Sequence, residues 1–179
     1  MIQYCKRCCL PSTKPHLSFD EEGICNACRN YENRKNVDWD ERKKELMEIL
    51  DRYRSKDGSN WDCIIPVSGG KDSTYQVITM LELGMNPLCV TATTCDLTDI
   101  GRRNIENIKK MGVDYIEVTT NRVVRAKLNR IGLTEVGDIS WPEHVSIFTV
   151  PVRMAVNFNV PLIIWGENSQ NEYGGPAAA

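Results

Sequence analysis

Two sets of residues in this chain have the types and spacing that chemistry requires. The first is Val67-Ser68-Gly69-Gly70-Lys71-Asp72-Ser73. An apolar run from Cys63 to Val67 precedes it and reads as a buried strand, while Val77, Ile78 and Leu81 follow at helical spacing. Strand, glycine turn and helix N-terminus, in that order, make an anion site. Backbone N–H groups point outward, the helix dipole adds positive potential, and the glycines let a phosphate approach the main chain. The G-x-x-x-x-G-K-[ST] phosphate loop is a different device, because here Lys71 is followed by Asp72 and the turn is too short to wrap a β,γ-phosphate pair in that way. The plainer reading is a serine- and glycine-rich surface turn, and the order of strand, loop and helix argues against it.

The second set is cysteine. Cys5 and Cys8 form one C-x-x-C pair and Cys25 and Cys28 another, with sixteen residues between them. Four thiolates at this spacing predict a closed, tetrahedral, structural zinc site. Cys9 leaves the register of the first pair open by one residue, and His16 is a possible replacement for one sulfur. Two disulfides are the competing explanation and need an oxidising compartment, of which the sequence gives no sign. Polar surroundings and short length make metal binding the main source of folding free energy for this segment.

Composition bounds the rest. The chain has 179 residues, 41% of them hydrophobic, and a formal net charge of −2, enough for one sizeable core and a small appendage. The slightly acidic balance argues against a general nucleic-acid binder. No apolar run reaches the length of a membrane span, and the start, Met1 to Lys6, has no signal-peptide pattern. A cytoplasmic, non-membrane protein with reduced thiols is the expectation.

The elements that must position these residues follow in order. Residues 1–35 are expected to form the zinc-ribbon-like module, with a connecting helix and loop over 36–60. That helix starts at Asp38, with Glu41 three residues on as a capping box and Leu46, Ile49, Leu50 and Tyr53 as its apolar stripe. Residues 61–179 are expected to alternate strand and helix. Strands are predicted over Cys63–Val67, Leu88–Ala92, Tyr115–Val118 and Leu162–Trp165. Helices are predicted over Asp99–Met111, Val123–Ile131 and Glu143–Asn157, with Pro151 expected to kink or split the last. The pattern predicts an α/β domain with a doubly wound, mostly parallel sheet. Ligands in such sheets bind beyond the carboxyl ends of strands, so Ser68–Ser73, Thr91–Asp96 and Gly166–Asn168 should converge. The chain stops soon after the fourth predicted strand, and truncation at the C-terminus is expected.

The S-G-G-K-D-S pattern of Ser68–Ser73 resembles that of the PP-loop ATP pyrophosphatases, the adenine nucleotide alpha hydrolase-like group that includes GMP, NAD and argininosuccinate synthetases. The resemblance implies cleavage of ATP between the α and β phosphates. A second resemblance is carried by the C-x-x-C pairs, Phe19-Asp20-Glu21-Glu22-Gly23, the glycine loop, Trp141-Pro142-Glu143, Trp165-Gly166-Glu167-Asn168 and Glu172-Tyr173-Gly174-Gly175. In this order they are similar to the N-acetyl sugar amidotransferases of bacterial surface-polysaccharide (lipopolysaccharide, O-antigen) biosynthesis. That family converts the acetamido group of a nucleotide-linked sugar into an acetamidino group.

The resemblance implies roles residue by residue. Ser68, Gly69, Gly70 and Ser73 would cradle pyrophosphate, Lys71 would neutralise developing phosphate charge, and Asp72 would either hold the loop or contact a Mg²⁺-bound water. Thr91, Thr93 and Gly166 would lie near ATP. Glu167 and Asn168 would bind the sugar or amide, with Glu167 joining Lys71 and Asp72 in catalysis. Each has a plainer reading: a helix cap for Asp72, β-propensity for Thr91 and Thr93, and a capping pair for Glu167-Asn168. Asp138 and Glu143 carry no assignment. A glutaminase needs a cysteine activated by histidine. His16 and His144, the only histidines, have no such setting. A separate glutaminase subunit supplying ammonia, together with a cyclase-like barrel subunit, is therefore the partner set implied.

Two other readings stand beside this one. A PP-loop tRNA sulfurtransferase would want a thiol near the nucleotide, and Cys95 follows the second predicted strand. A non-catalytic nucleotide-binding scaffold would use the zinc module for docking.

Overall fold

The computed structural model describes residues 1–93 and 97–166. Residues 1–46 form one compact unit and residues 47–166 another, so the division falls inside the helix read as a connector.

The first unit is built on two tight turns and helix α1 (Asn26–Asn33). Isolated antiparallel bridges, Tyr4 with Pro11 and Phe19 with Cys25, close the turns. The Asp20 carboxylate accepts the N–H groups of Glu22 at 3.0 Å and Ile24 at 2.9 Å, which fixes the second turn. These bonds, that of Ile24 first, and Arg29 hold the Asp20 carboxyl below the usual carboxylate range. The first 46 residues bury Cys5 and Cys25 but no leucine, isoleucine, valine or phenylalanine. Such a segment has little apolar burial to offset its chain entropy.

Helix α2 (Trp39–Tyr53) begins as its capping residue dictates, with Asp38 Oδ1 accepting the Glu41 N–H at 3.0 Å. Of its predicted stripe only Leu50 is fully buried, and Ile49 is exposed.

In the second unit, strands β1 (Cys63–Pro66), β2 (Pro87–Thr93) and β3 (Asp114–Thr119) form a parallel sheet in that order. Between and after them come α3 (Lys71–Glu82), α4 (Asp99–Lys109), α5 (Arg122–Ile131), a π-helical turn (Gly132–Val136) and α6 (Trp141–Asn157). Strand periodicity sorts the side chains to two faces. Ile64, Leu88 and Val90 pack with Ala155 of α6 and with Val160, supported by Ile116 and Met154. On the other face α4 covers β3: Arg102 pairs with Glu117 at 2.8 Å, and the Lys109 ammonium sits 5.1 Å from the Tyr115 ring centre. Helices on both faces make the sheet doubly wound, as the alternating pattern predicted.

Two expectations need correction. Residues 162–165 are no strand; this segment makes one parallel bridge, Ile163 with Ile64. Ile64 donates to the Leu162 carbonyl and accepts from the Ile164 N–H, both at 2.8 Å. The segment thus lies on the side of β1 away from β2. Pro151 does not split α6, which runs unbroken to Asn157. Proline removes one helical hydrogen bond. Pro151 itself is buried, and Val150, Met154 and Ala155 pack against the sheet core, which offsets that loss.

Asp62, just before β1, is 4% exposed. Its carboxylate accepts the Ser55 N–H at 2.5 Å and the Asn86 N–H at 2.6 Å, tying the entries of β1 and β2 together. Asp62→Ala strands two N–H groups. Urea unfolding should show a loss of roughly 2–5 kcal/mol, and a change below about 0.5 kcal/mol would contradict this role.

Candidate ATP site and metal centre

The turn at Ser68–Gly70 leaves β1 at its carboxyl end. Neighbours join β1 from opposite sides, β2 on one and the 162–164 segment on the other, so the chain reverses its direction of sheet growth there. Such a reversal opens the crevice in which α/β sheets bind ligands. Gly69 has φ +79°, a left-handed conformation that glycine adopts without strain. A Cβ there would stand 3.2 Å from both the Gly101 carbonyl and Ile105 Cγ1 of α4. Asn104 of α4 donates to the Gly69 carbonyl at 3.0 Å, so α4 clamps the turn.

Below the turn, hydroxyls complete the frame. Ser73 Oγ donates to the Gly70 carbonyl at 3.2 Å and accepts from the Ser68 N–H at 3.4 Å. Ser68 Oγ accepts from the Gly70 N–H at 3.3 Å. Gly70 is the N-cap of α3, and no side chain caps that helix. The first-turn N–H groups of α3 therefore have no side-chain cap and, with the helix dipole behind them, have the geometry that suits an anion. Lys71 and Asp72 are largely exposed and pair with each other at 2.7 Å. An exposed pair of this kind is worth about 0–1 kcal/mol, so a phosphate can capture the lysine.

The remaining sequence-predicted residues fall in different places. Thr91 is buried beneath the turn, its hydroxyl bonded to the Val67 carbonyl and to the Tyr115 hydroxyl. It braces the end of β1 from β2. Burial pushes the Tyr115 phenol up to about 12. Thr93 turns toward β3, donating to Glu117 Oε1 at 2.9 Å. Gly166 lies against α3, where a Cβ would stand 3.0 Å from the Gln76 side-chain amide oxygen. Glu167 and Asn168 lie outside the described residues, as do Cys95 and the 172–175 run. Sequence reasoning missed Asn104, whose role depends on α4 folding over the turn, and the Arg102–Glu117 pair beside Thr93.

The sulfur-transfer reading rests on Cys95, outside the described residues, and the two sheet thiols are core residues. Cys63 and Cys89 are fully buried, and burial pushes both up to about 12.

In the first unit, the sulfurs of Cys5, Cys8, Cys25 and Cys28 lie within 4.8 Å of one another, with Cys8 and Cys25 at 3.5 Å. Zinc with four sulfur ligands sets them about 3.8 Å apart, so the four fit the ion. The register left open by Cys9 is settled for Cys8. Cys9 is exposed with φ 61°, and neither it nor His16 is among the four. The N–H groups of Arg7 and Cys25 point at Cys5 Sγ from 3.4 and 3.3 Å. Burial opposes ionisation of Cys5, yet surrounding N–H groups bring it down to about 6. Burial, then the neighbouring sulfurs, push Cys28 up to about 12. Four thiolates this close need a cation to coexist.

No protein-family model matches the chain. An uncharacterized protein of Methanocaldococcus jannaschii is 31% identical over 99 residues, a match covering 55% of this chain and 35% of that protein. The chain is similar in structure to NMN synthetase from Francisella tularensis, with TM-score 0.53, 14% identity, and 73% of this chain and 55% of that one covered. It is also similar to NH₃-dependent NAD synthetase from Campylobacter jejuni, with TM-score 0.55, 13% identity, and 75% and 58% covered. At these identities the likeness is one of fold. The chain matches only about a third of the curated relative and little more than half of each synthetase. Among the described residues, no helix is long and apolar enough to cross a membrane.

Elemental analysis of protein purified under reducing conditions should find one zinc per chain, lost on Cys5→Ser or Cys28→Ser and kept on Cys9→Ser. Retention of a full equivalent by Cys5→Ser would exclude the four-sulfur site.

Proposed function

We propose that this chain carries the nucleotide site of an ATP-dependent amidotransferase that acts on the acetamido group of a nucleotide-linked N-acetyl sugar. The observation that carries the reading is the uncapped head of α3 beneath a clamped left-handed glycine, at the point where sheet growth reverses. Such a head binds the β and γ phosphates as a departing unit, through main-chain N–H groups that need no reorganisation.

An amide carbonyl is a poor electrophile and its oxygen a poor leaving group. Attack of that oxygen on the α-phosphorus breaks the α–β bond and releases pyrophosphate, giving an O-adenylated imidate. Ammonia then adds to the imidate carbon, AMP leaves with the former carbonyl oxygen, and loss of a proton gives the acetamidino product. In this scheme Ser68, Gly69, Gly70 and Ser73 hold the pyrophosphate. Lys71 neutralises charge as it departs, and Asp72 would either hold the loop or hold a water on Mg²⁺. Gly166 borders the nucleotide, Thr91 braces the turn from beneath and Thr93 is held by Glu117, while Glu167 and Asn168 act on the sugar amide. Mg²⁺ would supply charge neutralisation to ATP, and zinc on Cys5, Cys8, Cys25 and Cys28 would supply folding free energy to the first unit. Ammonia comes from a separate glutaminase subunit, with a cyclase-like barrel subunit completing the assembly. The product enters lipopolysaccharide or O-antigen biosynthesis in the cytoplasm. Support for the finer reading is the ordered set of sequence motifs; support for the coarser one is the fold shared with NMN and NAD synthetases.

Acceptors labelled with ¹⁸O in the acetamido carbonyl test this directly. With ATP, Mg²⁺ and ammonium salt, mass spectrometry should find the label in AMP and the sugar lighter by the exchange of oxygen for NH. Release of ADP, or AMP free of label, would refute the reaction.

A further inference from the structure

Helix α6 is apolar on both sides. Its inner side packs on the sheet, where Val150, Met154 and Ala155 lie with Ile64, Leu88 and Val90, and Pro151 is buried. Its outer side carries Trp141, Val145, Phe148, Val152 and Val156, in steps of four, three, four and four. At 3.6 residues per turn these steps keep all five on one stripe. Each is between 44% and 75% exposed. A helix apolar all round belongs inside a core or an interface, and among the described residues nothing covers this stripe.

The stripe continues onto α5. Val124 and Leu128 line one groove with Trp141 and Val145, and all four are exposed. Single exposed apolar residues are ordinary. A contiguous patch of these seven side chains is different: it exposes on the order of 600 Å², the upper limit of what monomers leave bare. That area approaches the roughly 800 Å² per partner of a standard interface.

The order of the residues selects a second copy as the cover. Reversed end to end about a point between Phe148 and Thr149, the stripe falls on itself. Trp141 then meets Val156, Val145 meets Val152, and the two Phe148 rings flank the centre. A two-fold contact requires this property, because residue i must meet j wherever j meets i. The bulky indole faces a small valine, so two antiparallel helices can meet along their whole length. Steps of three and four are also the spacing at which helices interlock at a shallow angle. The formal charges of α6, Glu143 and Arg153, lie off the stripe. Glu143 is also engaged by Arg125 at 3.1 Å. A second copy therefore brings no like charges together on the seam, and an unlike partner would need no such palindrome.

We infer that two copies of this chain associate through α6, packed antiparallel about a two-fold axis beside Phe148, with Val124 and Leu128 of α5 at the edge of the contact. The contact does not depend on the amidotransferase reading.

Sedimentation velocity should show a dimer at micromolar concentration. Val145→Glu and Val152→Glu each place a charge in the seam, at positions exposed in the single chain. Each should raise the dimer dissociation constant at least about a hundredfold, with the circular dichroism spectrum unchanged. Disulfide linking in a Cys9→Ser background reads the orientation. Thr149→Cys, next to the axis, should link to its own copy. Two Trp141→Cys chains would hold their thiols about 22 Å apart along the helices, so that variant should link only when mixed with Val156→Cys. A monomer at every concentration, as when another segment of the chain covers the stripe, would overturn the inference. So would a dimer that survives both glutamates, failure of Thr149→Cys to link, or linking of Trp141→Cys by itself.

Discussion

Everything proposed for the second unit depends on one constraint: the backbone at Gly69 must turn left-handed while its carbonyl stays bonded to Asn104. That bond, together with the closeness of Gly101 and Ile105, leaves no room for a side chain at position 69. The turn delivers the chain to Gly70 at an angle from which α3 starts with its first N–H groups unoccupied by any side-chain cap. Ordinary helices fill that position with serine, threonine or aspartate. Here Ser68 and Ser73 bond to the turn itself, so the hydroxyls rigidify the frame and leave the helix head for a ligand. Preorganised dipoles of this kind are the usual source of stabilisation for charge that develops as phosphate leaves.

The two units are stabilised by different means. Residues 47–166 have a conventional core, in which aliphatic side chains of β1 and β2 pack between α6 on one face and the α4 side on the other. Residues 1–46 have four sulfurs in place of a core. Exposed ion pairs surround those sulfurs, Arg29 with Asp20 and with Glu32 among them. Pairs so exposed add little, so a metal held by the four sulfurs would be the element that makes this unit fold.

Much of this was legible in the residues. Apolar runs marked β1 and β2 to within two residues, because a strand covered on both faces has little polar side to interrupt it, and β3 was as legible although Glu117 interrupts it. The C-x-x-C spacing picked out the clustered sulfurs, apart from the choice between Cys8 and Cys9, which the fold makes for Cys8. What could not be read involved partners distant in sequence. Residues 162–165 are as apolar as a strand, yet whether they pair along a ladder or at one bridge depends on Ile64, about a hundred positions away. Asn104 reads as an ordinary polar helix residue until α4 lies on the glycine turn. Arg125 and Glu143 read as surface charges; only the packing of α5 against α6 makes them a nearly buried pair. A charged residue amid the apolar positions of an amphipathic helix was the one available hint.

The account turns on where the triphosphate lies. A crystal structure of the protein with Mg²⁺ and a non-hydrolysable ATP analogue should show the β and γ phosphates within hydrogen-bonding distance of the backbone N–H groups between Gly69 and Ser73, with Lys71 swung from Asp72 onto a phosphate oxygen. Triphosphate bound away from that turn, or a turn with its N–H groups facing only solvent in the complex, would contradict the account.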